Sequence, residues 1–189
     1  MPAVEIRDPD PGWAEEFERV AVELGALVGD RAGRIDHIGS TAVPGLASKD
    51  VIDVQVTAPD EAALEAVTEL LDAGGWRVRP SIVADHVAPG APPAEAQWVK
   101  RFAVEPEGRR RVNLHVRVEG RANQRYALLF RDYLRAHPAT AAAYDAFKRR
   151  AAELLGESLP AYVELKDPVC DLIFLPAEEW AARTGWTPG

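Results

Sequence analysis

A turn that combines glycine with two hydroxyl residues, followed by an acidic residue, is the part of the sequence best suited to chemistry. Gly39, Ser40 and Thr41 come directly after a short apolar segment, and Asp53 lies 12 residues after Thr41 within a second apolar segment. Glycine lets the backbone approach a ligand closely, and the hydroxyl and amide groups beside it can bind an anion. Because carboxylates bind hard divalent cations, Asp53 is a candidate metal ligand close to this turn in the sequence, and the pattern indicates a pocket more firmly than a reaction.

A second set of polar residues lies on a segment that alternates strictly between apolar and polar positions. From residue 112 to residue 118, every second residue is Val or Leu. The polar residues between them are Asn113, His115 and Arg117. Such alternation predicts a β-strand that buries one face and presents three polar groups in register on the other. By the same period of two, Asp53 and Gln55 share the polar face of their own strand.

Composition and charge limit the classes of protein to which the chain can belong. Its 189 residues suffice for one ordinary domain, and no run of 18 uncharged apolar residues is present, so we expect a cytoplasmic protein without a membrane segment. The single cysteine, Cys170, fits a reducing compartment. A formal net charge of -8 argues against broad nucleic-acid binding. Residues 100–125 nevertheless carry eight Lys or Arg against three Glu, which suits a small anionic ligand.

Apolar periodicity predicts alternating strands and helices, and therefore a layered fold of the α/β or α+β class. Strands are predicted at 35–38, 51–56, 76–83, 98–105 and 110–119, and helices from Trp13, from Asp60, after Gly120, at 139–155 and after Pro168. The Pro-rich segment 84–96 is expected to be a loop that forms a rim or a lid, and residues 180–189 a weakly held tail in which Trp186 could still pack against the rest of the chain. We expect one domain over residues 1–189, with a sheet core at about 30–120 and C-terminal helices at about 121–176.

Several blocks of the sequence resemble the GrpB family. They are His37 to Lys49, Ile52 to Val54, Asn113 to Val116, Phe130 to Pro138, Tyr144 with Lys148, and Tyr162 to Lys166. The resemblance extends over nearly the whole chain. It implies an α+β fold of the nucleotidyltransferase-like superfamily, with a mixed sheet, helices packed on it and a helical C-terminal part. It also implies a relationship to the C-terminal extension of some actinobacterial dephospho-CoA kinases, and hence a possible partner enzyme.

The resemblance further implies that the two polar strand faces lie close together beneath the glycine turn. Asp53, His115 and His37 are then candidate catalytic residues, and Asp53 and His115 are candidate ligands of a divalent metal ion, with Mg or Mn favoured and Zn or Fe as alternatives. The candidate ligand-binding and phosphate-binding residues are Gly39, Ser40, Thr41, Lys49, Gln55, Asn113, Arg117, Arg131 and Arg135. The superfamily usually has Asp-x-Asp where this chain has Asp53-x-Gln55, so the metal site is incomplete by that pattern.

Three functions remain open from the sequence. The first is nucleotidyl transfer to a small acceptor, with His115 or His37 moving a proton and Asp53 holding a metal. The second is a binding module for a nucleotide or another phosphorylated small molecule, without catalysis. The third is an interaction domain that stabilises a partner enzyme. The oligomeric state is left open.

Ordinary structural roles compete with the functional ones at several positions. His37 at the end of a strand can simply hydrogen-bond to a neighbouring residue. Arg135 lies three residues after Asp132, which is the spacing of a helical ion pair. Lys148 and Lys166 could reach a phosphate group, but lysines on helices usually cover the surface.

Overall fold

The computed structural model describes residues 4–189, which form one five-stranded sheet and five α-helices. The strands are β1 (Arg34–Ile38), β2 (Ile52–Ala58), β3 (Arg77–Val78), β4 (Lys100–Val104) and β5 (Val112–Val118). The helices are α1 (Gly12–Val28), α2 (Glu61–Ala73), α3 (Ala122–Ala136), α4 (Pro138–Leu155) and α5 (Leu159–Thr184).

The strand order in the sheet is β1-β2-β5-β4-β3. β2 and β5 are parallel neighbours, and the other three pairs are antiparallel. The parallel pair lies in the middle of the sheet and joins the two segments whose polar faces the sequence singled out. The predicted mixed sheet and α+β class are therefore confirmed.

The apolar face of the central strands forms the larger core. Ile52, Val54 and Leu114 are fully buried in a cluster that also contains residues of α1 and α2. α2 begins where the sequence predicted, because the Asp60 carboxylate accepts a hydrogen bond of 2.8 Å from the Ala63 amide at the N-terminus of the helix. Burial of this face fixes the register, so the polar residues of β2 and β5 must point to the opposite side.

A second apolar cluster joins the three C-terminal helices to one another. It includes Leu129 of α3, Tyr144 of α4, and Ile173 and Phe174 of α5. α3 lies across the polar side of the sheet, where the Gln124 carbonyl accepts a hydrogen bond from the Gln55 side chain of β2. The helical layer therefore covers the polar face without filling it with hydrocarbon.

The last helix differs from the prediction. α5 does not start after Pro168 but runs without a break from Leu159 to Thr184, with Pro168 and Pro176 in its interior. An interior proline removes one backbone hydrogen bond and costs about 3 kcal/mol in an isolated helix. Here the helix buries Cys170 and Phe174 against α3 and α4, and this tertiary packing outweighs the local preference.

The predicted tail is also wrong. Trp180 belongs to α5, and the Trp186 indole donates a hydrogen bond of 3.1 Å to Asp132 of α3. The Arg125 guanidinium lies 5.1 Å from the centroid of the Trp186 ring. These contacts attach the segment to α3, because an aromatic side chain buries much apolar area even close to a chain terminus.

The predicted strand at 76–83 is reduced to the two residues of β3. After it, the segment up to β4 stays irregular but is tied to the sheet: the Lys100 amide donates to the Val83 carbonyl and the Asp85 amide donates to the Trp98 carbonyl, both at 2.9 Å. We call residues 80–97 the rim loop. Within residues 4–189, no helix combines the length and apolar character needed to span a bilayer.

Candidate functional site

A cavity of about 630 Å³ lies between the polar face of the sheet, the rim loop and the C-terminal helices. The residues that the sequence predicted for the site and that line this cavity are Gly39, Ser40, Lys49, Asp53, Asn113, His115 and Arg117. The two polar strand faces thus meet in one hollow below the glycine turn, as the family resemblance implied.

The parallel pairing of β2 and β5 places Asp53 directly opposite Asn113. The Asn113 amide donates a hydrogen bond of 2.8 Å to Oδ1 of Asp53. Gly39 packs against the same carboxyl group with a positive φ of 70°, and a Cβ at this position would lie 2.9 Å from Cγ of Asp53. Only glycine combines that backbone conformation with so close an approach.

The environment of Asp53 acts on its acidity in two directions. Burial raises the pKa of this carboxyl group above its usual range, while the hydrogen bond from Asn113 and the charges of Lys166 and Lys49 oppose the increase. The Asp53 carboxyl group therefore lies among side chains that are mainly cationic.

His115 lies opposite Gln55 in the register, one pair further along the same face. Burial holds the pKa of His115 well below its usual value, and the charges on Arg117 and Lys100 lower it further. The imidazole is therefore neutral at pH 7. Since arginine can only donate, the 3.3 Å contact from Arg117 Nη2 to Nδ1 assigns the ring proton to Nε2.

Arg117 is held by acceptors of the protein itself. Its Nε donates to Oδ2 of Asp85 at 2.9 Å, and Nη1 donates to Oε1 of Gln55 at 2.7 Å. Asp85 also accepts from Lys100 Nζ at 2.6 Å and from Asn123 at 3.1 Å. Although burial alone would raise the pKa of Asp85, the charge and hydrogen bonds of Arg117 hold it far below its usual range. This network anchors the rim loop to β5 and α3.

Gln55 does not offer its amide to the cavity. Its side chain is fully buried (0% exposed), and both ends are used, the oxygen by Arg117 and the nitrogen by the Gln124 carbonyl at 3.3 Å. The structure thus places Gln55 beneath the site as a support for Arg117.

Four further predicted residues lie outside the cavity lining, close to the glycine turn: His37, Thr41, Arg131 and Arg135. His37 Nε2 and Thr41 Oγ1 are 2.9 Å apart, and the imidazole stacks on Phe17. Burial lowers the pKa of His37 to about 4, with the charges of Arg135 and Arg131 acting in the same direction. Arg131 donates to the His37 carbonyl at 3.1 Å, and Arg135 donates to the Ala42 carbonyl at 2.7 Å. These contacts hold the turn in shape, and the expected ion pair of Arg135 with Asp132 is present at 3.4 Å.

All the lysines of the chain line this one cavity. The sequence has 22 cationic residues, of which only four are lysines. They are Lys49, Lys100, Lys148 and Lys166. The scarcity of lysine is visible in the sequence, and the compact, strongly hydrated ammonium group of lysine differs chemically from the planar guanidinium of arginine. The sequence left open whether Lys148 and Lys166 reach a ligand or cover the surface as helical lysines usually do; both line the cavity, so the surface role is wrong.

Lys148 comes from α4 and is 2% exposed. Its Nζ donates to Ser40 Oγ at 3.1 Å and to the Ala47 carbonyl, and lies 4.8 Å from the Tyr144 ring centroid. Burial lowers the pKa of Lys148 to about 7; the charge on Lys166 adds to this effect, and that of Asp145 opposes it. The side chain is therefore partly in the neutral amine form near pH 7, and this amine gains a proton readily when an anion approaches.

Lys49 and Lys166 approach the same end of the cavity from the loop before β2 and from α5. Lys49 Nζ lies 5.7 Å from the Tyr162 ring centroid. Burial lowers the pKa of Lys49, and repulsion by Lys166 adds to the effect. Within residues 4–189, neither lysine has a carboxylate oxygen within 4.0 Å, in contrast to Lys100, which is paired with Asp85. Two cationic groups are thus available to a ligand.

The donor set fits a metal centre poorly. In the part of the chain that the structure describes, no three His, Cys, Asp or Glu side chains come together in a group that could hold a metal ion. Asp53 and His115 both line the cavity, yet the second acidic position of the superfamily pattern is the buried amide of Gln55. A pair of metal ions requires bridging carboxylates, which this arrangement does not supply.

Comparison with known proteins agrees with the architecture. The model of the GrpB protein family matches residues 3–174. The dephospho-CoA kinase of Mycolicibacterium paratuberculosis is 38% identical over 197 residues, covering 98% of this chain but 48% of that protein, so the chain spans about half the length of this relative.

Two solved structures share the fold. The conserved protein GrpB from Enterococcus faecalis matches with a TM-score of 0.72 and 25% identity, covering 93% of this chain and 99% of that one. Cid1, solved in complex with its short product ApU, matches with a TM-score of 0.50 and 10% identity over 76% of this chain and 42% of that one, which shows a nucleotidyltransferase-like fold alone. With a family model that matches most of its length, the chain belongs to the GrpB family.

Proposed function

We propose that this protein binds a phosphorylated small molecule or a nucleotide in the cavity between the sheet and the C-terminal helices. The observation that carries the proposal is the convergence of all four lysines on that cavity, in a chain whose formal net charge is -8. Cations concentrated in one hollow of an acidic protein attract a small anion and do not favour an extended polyanion.

The end of the cavity near the glycine turn suits the phosphate group. Ser40 offers a hydroxyl there, and Lys148 already contacts that hydroxyl at 3.1 Å. Lys49 and Lys166 add two ammonium groups without carboxylate partners among the described residues. Charge-assisted hydrogen bonds from such groups to phosphate oxygens are about twice as strong as neutral ones.

The remaining lining suits the organic part of a ligand. Phe102, Tyr126 and Tyr162 present aromatic surface, and the volume of about 630 Å³ lies in the usual range of small-molecule sites. The rings leave the organic part unspecified, since aromatic faces contact a sugar or a base equally well.

A thermal-shift screen with nucleoside mono-, di- and triphosphates, sugar phosphates and inorganic phosphate tests the proposal. A ligand at a hundred times its dissociation constant adds about 2.7 kcal/mol to the free energy of unfolding. Lys166→Gln should clearly reduce the shift of the best compound, whereas Arg150→Gln should retain it, because Arg150 is exposed and pairs with Glu153. Equal shifts in both variants, or none for any compound, would count against a phosphate site here.

Nucleotidyl transfer is the competing function, and the presence of Asp53 together with a neutral His115 in the cavity favours it. In that case Asp53 and His115 would hold a divalent ion, or His115 would accept the proton of an acceptor hydroxyl. Incubation with the four ribonucleoside triphosphates, Mg or Mn and a metabolite pool should then release pyrophosphate, and His115→Ala should abolish the release. Nucleotide binding without release of pyrophosphate would support the binding function and count against nucleotidyl transfer.

A further inference from the structure

We propose that the cavity takes its phosphorylated ligand as the metal-free anion, with lysine ammonium groups beside Asp53 supplying the positive charge that a divalent metal would supply in a nucleotidyltransferase. The inference rests on the proposed function and specifies the ionic form of the ligand. It concerns the end of the cavity formed by Asp53, Lys49, Lys148 and Lys166.

Three of the four carboxylate oxygens in the cavity lining already accept hydrogen bonds. Asp53 Oδ1 accepts from Asn113 at 2.8 Å, and its Oδ2 faces the backbone of Gly39. Asp85 accepts hydrogen bonds from Lys100, Arg117 and Asn123. No second carboxylate oxygen of the lining is therefore available to share a metal ion with Asp53.

The charge around Asp53 also disfavours a dication. Among charged groups, Lys166 and Lys49 have the strongest effect on the pKa of the Asp53 carboxyl group. Two ammonium groups against one carboxylate leave a positive balance before any ligand enters. A divalent cation is repelled by that balance, while a phosphate monoester or a diphosphate, each carrying two or more negative charges, is attracted.

Lys148 strengthens the preference. Its ammonium group is buried, contacts Ser40 Oγ, and has no carboxylate within 4.0 Å among residues 4–189. An incoming phosphate oxygen would provide the counter-charge that this lysine lacks. The binding of an anion and the protonation of Lys148 should therefore support each other.

Calorimetric titration with inorganic pyrophosphate separates the two forms of the ligand. We expect pyrophosphate to bind in EDTA, and an excess of Mg to weaken the binding several-fold by complexing the anion. Binding that appears only with Mg would overturn this inference and leave the proposed function intact. Absence of binding in both conditions would overturn both.

Asp53→Asn gives opposite results for the two models. In EDTA it should tighten pyrophosphate binding several-fold, because it removes the one negative charge and keeps an oxygen for Asn113. If Asp53 held a metal ion, the same variant would instead lose the binding measured with Mg. Lys166→Gln should weaken binding at least about tenfold, the effect of losing one charged hydrogen bond. An unchanged affinity in Lys166→Gln would overturn the inference.

Matched variants control for folding. Lys166→Arg keeps the charge and should retain most of the affinity, and Arg150→Gln changes an exposed residue of α4 outside the cavity. All variants should show the far-UV circular dichroism of the parent protein. A loss of affinity shared by Arg150→Gln would mean that the effect of Lys166→Gln is not local, and would overturn the assignment of Lys166.

Discussion

At the scale of single residues, the site depends on the close packing of Gly39 against the Asp53 carboxyl group. The backbone of Gly39 has a φ of 70°, and Cγ of Asp53 lies 2.9 Å from the point where a Cβ would be. A residue with a Cβ at this position would therefore be destabilising for two reasons, the strained backbone conformation and the steric overlap with Asp53.

Gly39→Ala should destabilise the protein more than a glycine substitution that carries only the first cost. Gly108→Ala is the matched control, since Gly108 has a φ of 74° and nothing within 4 Å of its missing Cβ. We expect about 1 kcal/mol for the control and at least about 2 kcal/mol for Gly39→Ala, measured by urea unfolding. Equal losses in the two variants would show that the carboxyl group moves aside freely.

Lys148 should make stability depend on pH. Its pKa is lowered from 10.5 to about 7 in the folded chain, so between these values the unfolded chain binds a proton that the folded chain does not. The free energy of unfolding therefore gains a contribution that rises with pH across that window. In Lys148→Met this contribution disappears. Urea unfolding at pH 7, 8 and 9 checks it, and parallel pH profiles for the two proteins would contradict the assignment.

At the scale of elements, one carboxylate links the rim loop to three other elements. Asp85 bridges the loop to Lys100 of β4, Arg117 of β5 and Asn123 of α3. Because the Arg117 side chain is only 6% exposed, its charge cannot turn to water when the partner is removed.

Asp85→Asn should cost about 3 kcal/mol of unfolding free energy and speed amide hydrogen exchange in residues 80–97. Because the pKa of Asp85 is lowered in the folded chain, the ion pair contributes its full stabilisation above the usual pKa of a carboxyl group. This contribution is lost as the pH falls through the folded-state pKa. Asp30→Asn on the exposed connection after α1 is the control and should change neither quantity. Unaltered exchange in the rim loop of Asp85→Asn would show that other contacts position it.

α5 shows why element boundaries were less predictable than element types. Ser158 accepts a hydrogen bond from the Ala161 amide at 3.3 Å and starts the helix ten residues before Pro168, although Pro168 itself has the local signature of a first-turn residue. The buried side chains beyond the proline decide the outcome. As a consequence, Tyr162 and Lys166 come to lie on a helix that faces the cavity.

At the scale of the whole molecule, two apolar clusters lie on opposite sides of one sheet. The first joins α1 and α2 to the sheet, and the second joins α3, α4 and α5. The polar groups of the site lie between the clusters and connect them through hydrogen bonds such as that of Gln55 with the Gln124 carbonyl.

We expect the two clusters to unfold together. Tryptophan fluorescence reports on both, because Trp13 and Trp76 belong to the first cluster and Trp98 to the second. Urea transitions followed by fluorescence and by circular dichroism should coincide, as in a two-state domain. Two separated transitions would show that the helical layer is an independent unit and would contradict the prediction of one domain.

The sequence by itself determined those features that depend on neighbouring residues. The alternation in β2 and β5, the cap at Asp60, and the glycine turn before Asp53 each follow from the local geometry of the backbone, which needs no knowledge of distant parts of the chain. For this reason the strands, their polar faces and the layered fold class were predictable, whereas the convergence of Asp53, Asn113 and His115 was implied only by the resemblance to a known family.

Only the tertiary structure decided which charged groups face the cavity. Lys148 reaches Ser40 across 108 residues of sequence, and Asp85 reaches Arg117 across 32, from an irregular loop without a local signature. Conversely, hydrogen bonds with Arg117 and with the Gln124 carbonyl hold the Gln55 side chain beneath the cavity. A buried polar group must find a partner wherever the packed chain provides one, and that choice is made by long-range packing, not by local sequence.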